Sequence, residues 1–390
     1  MISVEEALAR VLALGAPLGV EDVPLARARG RVLARDAVAS LTQPPFSASA
    51  MDGYWLARAD HAPNAVLDVV GEAGAGHPFK GIVPAGACIR IFTGAPVPAE
   101  GGVVVLQEDI TRNADAITLP QTLVNQDNIR PMGQDFRIGD TLKAPRILTP
   151  RAIGLLASMN VARVLVSRRP VVAIIATGDE LVMPGETPAE GQIICSNSYA
   201  LAALVEASGA EARILPIARD TEASLRLVFD LARGADLIVT SGGASVGDHD
   251  LVGKVAGDLG LERAFWKIAM RPGKPLMAGH ISGVPMLGLP GNPVSALVCA
   301  ELFLKPLLGV MMGIDLSPKP LEARLGEAVG PTGPRTHYMR ARLENGGISP
   351  YHNQDSALLG IMTEANALLI RPAGDGPRAP GEPVLYLPLL

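Results

Sequence analysis

Residues 237–250, LIVTSGGASVGDHD, carry the clearest chemistry in the chain. Leu237, Ile238 and Val239 form a short apolar run of the kind that fills a buried strand in a parallel sheet. Gly242 and Gly243 leave the following turn without Cβ atoms, so backbone N–H groups can close on an anion, with the Ser245 hydroxyl beside them. Asp248 and Asp250 then open a helical stretch. A strand, a glycine-rich turn and a helix start make a phosphate cradle whose neighbouring carboxylates suit a divalent cation. The same residues also suit an ordinary strand-to-helix turn with Asp248 as its cap.

A basic counterpart lies at 266–275, WKIAMRPGKP, where Lys267, Arg271 and Lys274 fall within eight residues. Two prolines and a glycine exclude a regular helix there. An irregular but stiff loop holds its cations on defined vectors, as a clamp for phosphate or another oxyanion needs. Carboxylates for a cation on one side and fixed positive charges on the other suit reactions at phosphorus or at an oxometallate.

The elements that must position these groups follow from the pattern around them. From 169 to 312, apolar strands at 171–176, 212–217, 236–240 and 285–289 alternate with helices at 197–208, 221–233, 250–259 and 293–308. That alternation predicts βαβ units and a parallel sheet covered on both faces, with ligands outside the carboxyl ends of the strands. The polar motifs obey this rule. Glu180 follows the first strand in TGDEL, Asp220 the second, Asp250 the third, and Asn292 and Ser295 the last in PGNPVS. Each has a plain structural use as a cap, turn or rim charge, but their joint placement at strand ends points to a site.

Residues 1–42 read as an amphipathic helix, burying Val4, Leu8, Val11 and Leu12, followed by a turn and a short extended piece. Gln43–Ala50 is a rigid connector into Met51-Asp52-Gly53-Tyr54, where Asp-Gly predicts a turn. Short β-prone runs punctuated by Gly and Pro make 43–142 a small β domain. A helical pattern near 150–160 is expected to pack back onto the first helix, so that 1–42 and 143–168 flank an insertion. After a linker, 313–390 reads as a second small β domain.

Composition sets limits. The 390 residues are 48% hydrophobic and 19% charged, which suits packed cores and several domains. Aromatics at 4% and a net charge of −5 argue against a nucleic-acid partner. Three scattered cysteines form no zinc or disulfide pattern and fit reduced thiols in a cytoplasm. The N-terminus lacks a basic leader, and the apolar run 293–314 is broken by Glu301, Lys305 and Pro306, so no membrane span is expected.

The ordered segments SAMDGY, RIFTGAP, IRPMGQD, TGDEL, GQIICSN, TSGGASVGDHD, KIAMRPGKP and LPGNPVSA together resemble the MoeA family of molybdopterin molybdenumtransferases, including the E domain of gephyrin. The resemblance spans nearly the whole chain. It implies an α/β multidomain fold: a MogA/MoaB-like doubly wound α/β domain, an N-terminal helical domain, an inserted β domain and a C-terminal small β-barrel. It further implies insertion of molybdate into adenylylated molybdopterin with release of AMP, assisted by Mg2+ or another divalent cation. A homodimer with the site shared between subunits, and transient contact with the adenylyltransferase, are also implied.

Carried over position by position, the resemblance makes Asp52, Thr93, Asp135, Glu180, Asp220, Asp250, Lys267 and Arg271 catalytic, with Glu180, Asp220 and Asp250 on the metal. Arg130, Gly242, Gly243, Ser245, Lys274, Asn292, Ser295 and Ser356 would bind substrate. Gln134 stands where the family usually has Glu, Cys195 where Asp is common, and Glu100-Gly101-Gly102 where Gly-Ala-Asp is usual. Arg271 replaces a Lys found in some members, exchanging a point charge for a planar fork. Two rivals remain: a MogA-type molybdopterin adenylyltransferase, which would lack the flanking β segments, and a molybdopterin-binding scaffold without turnover.

Overall fold

The structure is a computed structural model, described here for residues 1–98, 101–242 and 251–389. The chain folds as two units. One comprises Met1–Glu21, Gly30–Ala34 and the chain from Leu165 onward; the other comprises Asp22–Arg29 and Arg35–Val164.

In the first unit a six-stranded sheet runs in the order Glu211–Ile214, Val171–Ala176, Leu237–Ser241, Val284–Leu289, Met277–Ile281, Leu261–Trp266. The first four strands are parallel, as the apolar runs of the inner three predict; Glu211–Ile214, at the sheet edge, reads EARI. The last two are antiparallel, so the sheet is mixed where the sequence pattern suggested a purely parallel one. The helices Asn197–Ala207 and Glu222–Leu231 match expectation within three residues at each end. Leu201 and Val205 of one and Leu225, Val228 and Phe229 of the other are buried on opposite faces of the sheet. Both helices take this role because their apolar side chains recur every three to four residues.

The apolar helix Pro293–Met312 is long enough to cross a membrane, but 78% of its most apolar stretch is buried inside the protein. Its middle, Ala300–Leu304, is wound as a π-helix just before Pro306, which has no N–H for the regular ladder. The N-terminal helix Val4–Leu12, capped by the Ser3 hydroxyl, buries Val4, Ala7 and Val11 in the same core. Leu8 and Leu12, expected inside, are only half-buried. Pro150–Ser158 belongs to the second unit and lies against Leu25–Arg27.

The C-terminal strands of this unit close into a ring. Thr336–Glu344 pairs with both Gly347–Pro350 and Ala367–Arg371, and Leu321–Leu325 and Pro383–Pro388 complete the circuit. Closure removes the edge strands that a small open sheet would expose. Arg371, 1% exposed, is neutralised by Asp375 at 2.6 Å and donates to the Gly330 and Gly376 carbonyls.

The second unit holds a mixed sheet in the order Gly102–Leu106, Gly53–Ala57, Ala87–Ile91, Val66–Ala73, Ala116–Thr118, Thr111–Asn113. Gly53–Ala57 is buried because it lies between two strands, with Tyr54 and Leu56 facing one core cluster and Trp55 another. Asp-Gly at 52–53 is a bend leading into this strand, and the glycine has a second cause. A Cβ at Gly53 would overlap the Val105 carbonyl oxygen of the adjacent strand.

Two expectations follow from this packing. Asp375→Asn leaves the Arg371 guanidinium buried without its counter-charge, so it lowers stability by about 3 kcal/mol in urea unfolding. Bonds from Arg378 and Arg371 hold the Asp375 carboxyl below its ordinary range. Its contribution is therefore complete at neutral pH and is lost as pH falls through the lowered value. All three cysteines are buried. Burial pushes the Cys88 thiol up to about 12 and also raises that of Cys299, which removes the reactive thiolate. A colorimetric thiol reagent at pH 8 titrates neither in the native chain and all three after denaturation.

Candidate functional site

In the first unit Glu180, Asp220, Gly242, Asn292 and Ser295 gather along the carboxyl edge of the sheet. The strand order reverses between Val171–Ala176 and Leu237–Ser241, so this edge contains the topological switch point where open α/β sheets take ligands. Thr177 continues the first of these strands and its N–H donates to the Ser241 carbonyl at 3.1 Å. Gly242 follows with φ +94, a conformation that side chains with a Cβ rarely adopt. A Cβ there would also lie 2.7 Å from the Thr177 carbonyl oxygen. Glycine at 242 is therefore required by closeness as well as by backbone angle. Gly243, Ser245, Asp248 and Asp250 lie outside the described residues.

The TGDEL loop and the loop carrying Asp220 are tied together. Gly178 N–H donates to the Ala218 carbonyl, and Asp179 accepts the Asp220 backbone N–H at 3.1 Å. Arg219 donates to the carbonyls of Gly178, Asp179 and Leu181. Glu180 folds its carboxylate back toward Gly178, and both Glu180 and Asp220 are exposed. Among the described residues neither is ion-paired, so the two loops present carboxylate oxygens of the hard type that a magnesium-like cation prefers. No cluster of three ligating side chains forms among the described residues. Motif reading overlooked Asp179 and Arg219. An arginine immediately before a suspected catalytic aspartate was the available signal.

On the other side of the switch point, Asn197 at the start of its helix donates to the Ser241 hydroxyl at 2.8 Å and to the Gly291 carbonyl at 2.7 Å. It thereby joins two of the loops that bear expected site residues. It stood in the quoted GQIICSN motif but was not singled out, since a side chain that bridges loops leaves no spacing pattern. Cys195, two residues earlier, is buried, with its sulfur 3.5 Å from the Ser198 hydroxyl. Asn292 precedes the helix Pro293–Met312 and donates to the Ser356 hydroxyl at 2.8 Å. Ser295 is 5% exposed within the first turn of that helix.

Ser356 reaches Asn292 because Arg340 holds its loop. The guanidinium, 1% exposed, donates to the carbonyls of Asn353, Asp355 and Leu358, while Gln354 accepts the Arg340 N–H. Burial lowers the pKa of this arginine. A buried arginine spent wholly on carbonyls is invisible to spacing and was missed.

The basic segment is the tip of an antiparallel hairpin. Trp266 pairs with Met277, and Lys267 N–H donates to the Leu276 carbonyl at 3.1 Å. Lys267 has φ +68 and its ammonium lies 4.2 Å from the centre of the Trp266 ring, a cation–π contact. Beyond it, Met270–Arg271 forms a parallel strand on Thr336–His337 of the C-terminal ring. The irregular loop expected from its prolines is thus anchored on both sides. Lys267, Arg271 and Lys274 have no carboxylate partner among the described residues; Arg271 and Lys274 are exposed.

In the second unit the SAMDGY, TGAP and IRPMGQD segments meet. Asp52 accepts both the Thr93 N–H and the Thr93 hydroxyl at 2.8 Å. These bonds hold the Asp52 carboxyl below its ordinary range, with Arg90 nearby adding to the effect. Arg90 itself packs its guanidinium against the Tyr54 and Phe92 rings. Arg130 pairs with Ala48 in a two-stranded ladder, and Gly94 N–H donates to the Ser49 carbonyl. Asp135 N–H donates to the Gln43 carbonyl at 3.1 Å. A cavity of about 580 Å³ results, with Arg130, Gln134 and Asp135 facing Pro44, Pro45 and Phe46. Gln134 is therefore a wall residue, and its amide stands where a carboxylate would add negative charge.

Comparison with known proteins agrees with this picture over the full length. Residues 2–160 match the model of the MoeA N-terminal region (domain I and II), 173–309 that of a probable molybdopterin binding domain, and 322–389 that of the MoeA C-terminal region (domain IV). A molybdopterin molybdenumtransferase of Haemophilus influenzae is 37% identical over 82% of this chain and 80% of its own. One from Nostoc is 35% identical over 95% of this chain and 88% of its own. A crystal structure of the molybdopterin biosynthesis moeA protein from Pyrococcus horikoshii superposes with a TM-score of 0.86 at 28% identity, covering 100% of both chains. The chain belongs to the MoeA family, the molybdopterin molybdenumtransferases.

Proposed function

We propose that the protein catalyses insertion of molybdate into adenylylated molybdopterin, releasing AMP, as a transferase of molybdenum cofactor synthesis. What carries the reading is the pairing of two free charge sets in the first unit. Among the described residues, three cations without carboxylate partners stand on an anchored hairpin, and two carboxylates without cationic partners stand on tied loops at the switch point. Such unneutralised charges lower stability by self-repulsion and are retained where a substrate or cation answers them.

In this reading Lys267, Arg271 and Lys274 receive molybdate and phosphate oxygens. Asn292, Ser295 and Ser356, with the backbone about Gly242, seat the phosphate end of the pterin, together with Gly243 and Ser245. Glu180 and Asp220 offer exposed oxygen ligands, which fit a divalent cation such as magnesium, with Asp250 as the third. The cation when bound supplies positive charge beside the phosphoanhydride. Asp52, whose carboxylate is fixed by Thr93, and Asp135 with Arg130 orient the substrate from the inserted β domain. Molybdate oxygen attacks the adenylyl phosphorus and the anhydride bond to the pterin phosphate breaks. The dithiolene sulfurs then take the molybdenum, with AMP as the departing oxyanion and one oxo group leaving as water on the two thiol protons. Catalysis is electrostatic: preorganised charge, with no covalent enzyme intermediate.

The division of the chain proposed with it is 1–42 plus 143–168 as a helical domain, 43–142 as the inserted β domain, 169–312 as the molybdopterin-binding domain and 313–390 as the β-barrel domain. A cytoplasmic homodimer sharing its site between subunits, in transient contact with the adenylyltransferase, completes the proposal. The matches to N- and C-terminal MoeA regions favour this reaction over adenylyl transfer, whose smaller enzymes lack both.

The test is AMP release from adenylylated molybdopterin with and without molybdate. Lys267→Ala and Glu180→Gln each lower the molybdate-dependent rate by about 10²–10³ while circular dichroism and melting remain those of the parent. Parent-like rates in either variant refute the assigned roles, and pyrophosphate release from ATP and molybdopterin without molybdate points to adenylyl transfer. Static light scattering checks the assembly: a mass of twice the chain supports the dimer, and a monomer at working concentration removes the shared site.

A further inference from the structure

Thr177 is 3% exposed, and its hydroxyl has no hydrogen-bond partner among the described residues. The backbone around it is fixed. Thr177 N–H donates to the Ser241 carbonyl at 3.1 Å, the residue bridges to Ala218 on its other side, and Gly178 N–H donates to the Ala218 carbonyl. Its side chain is β-branched and stiff about χ1, so the hydroxyl cannot readily turn elsewhere. A buried hydroxyl without a partner costs stability, because the water that solvated it in the unfolded chain is not replaced. Valine has the same shape and avoids that cost, so the hydroxyl calls for a reason.

The reason lies in what the hydroxyl faces. Thr177 Oγ1 lies 3.0 Å from where a Cβ of Gly242 would stand, across a gap that only glycine leaves open. Gly242 is loosely tied, its N–H reaching the Leu289 carbonyl at 3.4 Å. Glycines at 242 and 243 put little steric barrier in the way of turning the peptide between them. In a planar trans peptide the carbonyl and the following N–H point in opposite directions. A Gly242 carbonyl turned to accept the Thr177 hydroxyl therefore turns the next N–H the other way, as a donor for an anion.

We propose that Thr177 is a positioning residue for the glycine-rich turn: its hydroxyl takes the Gly242 carbonyl as acceptor when the phosphate end of the pterin is seated, and so aims the following N–H at a phosphate oxygen. The hydrogen bond that the ligand-free chain lacks is made on binding, and the affinity rises accordingly. The inference rests on the proposed reaction for the identity of the ligand. Thr240 provides the comparison. It pairs with Ile175, two residues before Thr177, so both threonines face the same side of the sheet. Its hydroxyl is likewise unpaired among the described residues, but it lies within the strand, between its ladder partners Ile175 and Gly288.

Anaerobic titration of the full chain with molybdopterin, beside urea unfolding of the ligand-free chain, tests the role. Thr177→Val weakens molybdopterin binding by about tenfold, while its ligand-free unfolding midpoint equals or exceeds that of the parent. Thr177→Ser keeps the hydroxyl and binds within about twofold of the parent, as does Thr240→Val, which removes the other unpaired hydroxyl. Parent-like binding by a folded Thr177→Val, or an equal loss in Thr240→Val, overturns the role. So does a Thr177→Val chain that unfolds at lower urea than the parent when Thr177→Ser does not, because the hydroxyl is then paired before the ligand arrives. If Thr177→Val does not fold, Thr177→Ala is compared with Thr177→Ser, and equal binding by the two overturns the role. Molybdopterin bound without AMP release from its adenylylated form refutes the proposed reaction and leaves Thr177 standing, whereas a parent chain that binds no molybdopterin overturns both.

Discussion

The arrangement depends on how closely the loops at the carboxyl edge of the mixed sheet are packed. Gly242 lies so near the Thr177 backbone that a single Cβ would force the two strands apart. On the opposite side Gly291 comes within 3.5 Å of the Gly242 α-carbon, measured from where its own Cβ would be. The Asn197 amide bridges Ser241 and Gly291, so one side chain satisfies polar groups of both loops. Small residues permit the approach, and one amide fixes it. Exposed acidic groups can then be held at the rim without wide, water-filled gaps between their loops.

Much of this was legible in the sequence. Apolar runs that end in Gly and polar residues marked the four parallel strands, and the strand-end rule correctly placed TGDEL, Asp220 and PGNPVS on one edge. The antiparallel pair Leu261–Trp266 and Met277–Ile281 was not legible. LERAFW alternates poorly, and MAGHI is short and contains a glycine, so neither carries a clear period of two. Because these strands were missed, the basic segment between them read as a stiff but irregular loop. It is the tip that joins them, held further by pairing to the C-terminal ring.

The residues overlooked share a physical character. Asn197, Arg219 and Arg340 act by donating side-chain N–H groups to carbonyls on segments distant in sequence. Backbone acceptors carry no residue identity, so such contacts leave nothing for a motif to match. Asp52 was found because the SAMDGY segment that carries it resembles the family's, and its partner Thr93 was found separately through the TGAP segment. Residues inside recognisable motifs are legible, whereas side-chain clasps on backbone are not.

The coupling of the basic hairpin to the C-terminal ring has a mechanical consequence. Arg271 shares a ladder with His337, and Arg340, three residues further along that strand, positions the loop bearing Ser356. Ser356 in turn meets Asn292 at the start of the helix that follows the last parallel strand. One strand of the ring, Thr336–Glu344, therefore sets the location of a basic side chain from the hairpin and of a hydroxyl at the sheet edge. A chain built this way can hold basic and hydroxyl side chains from separate segments in fixed register through strand pairing alone. Packing of the ring, and above all the burial of Arg340 and Arg371 with their acceptors satisfied, is thus a condition for the charge pattern on the hairpin. A C-terminal β domain that reads as accessory in sequence is structurally tied to both the basic hairpin and the edge of the mixed sheet.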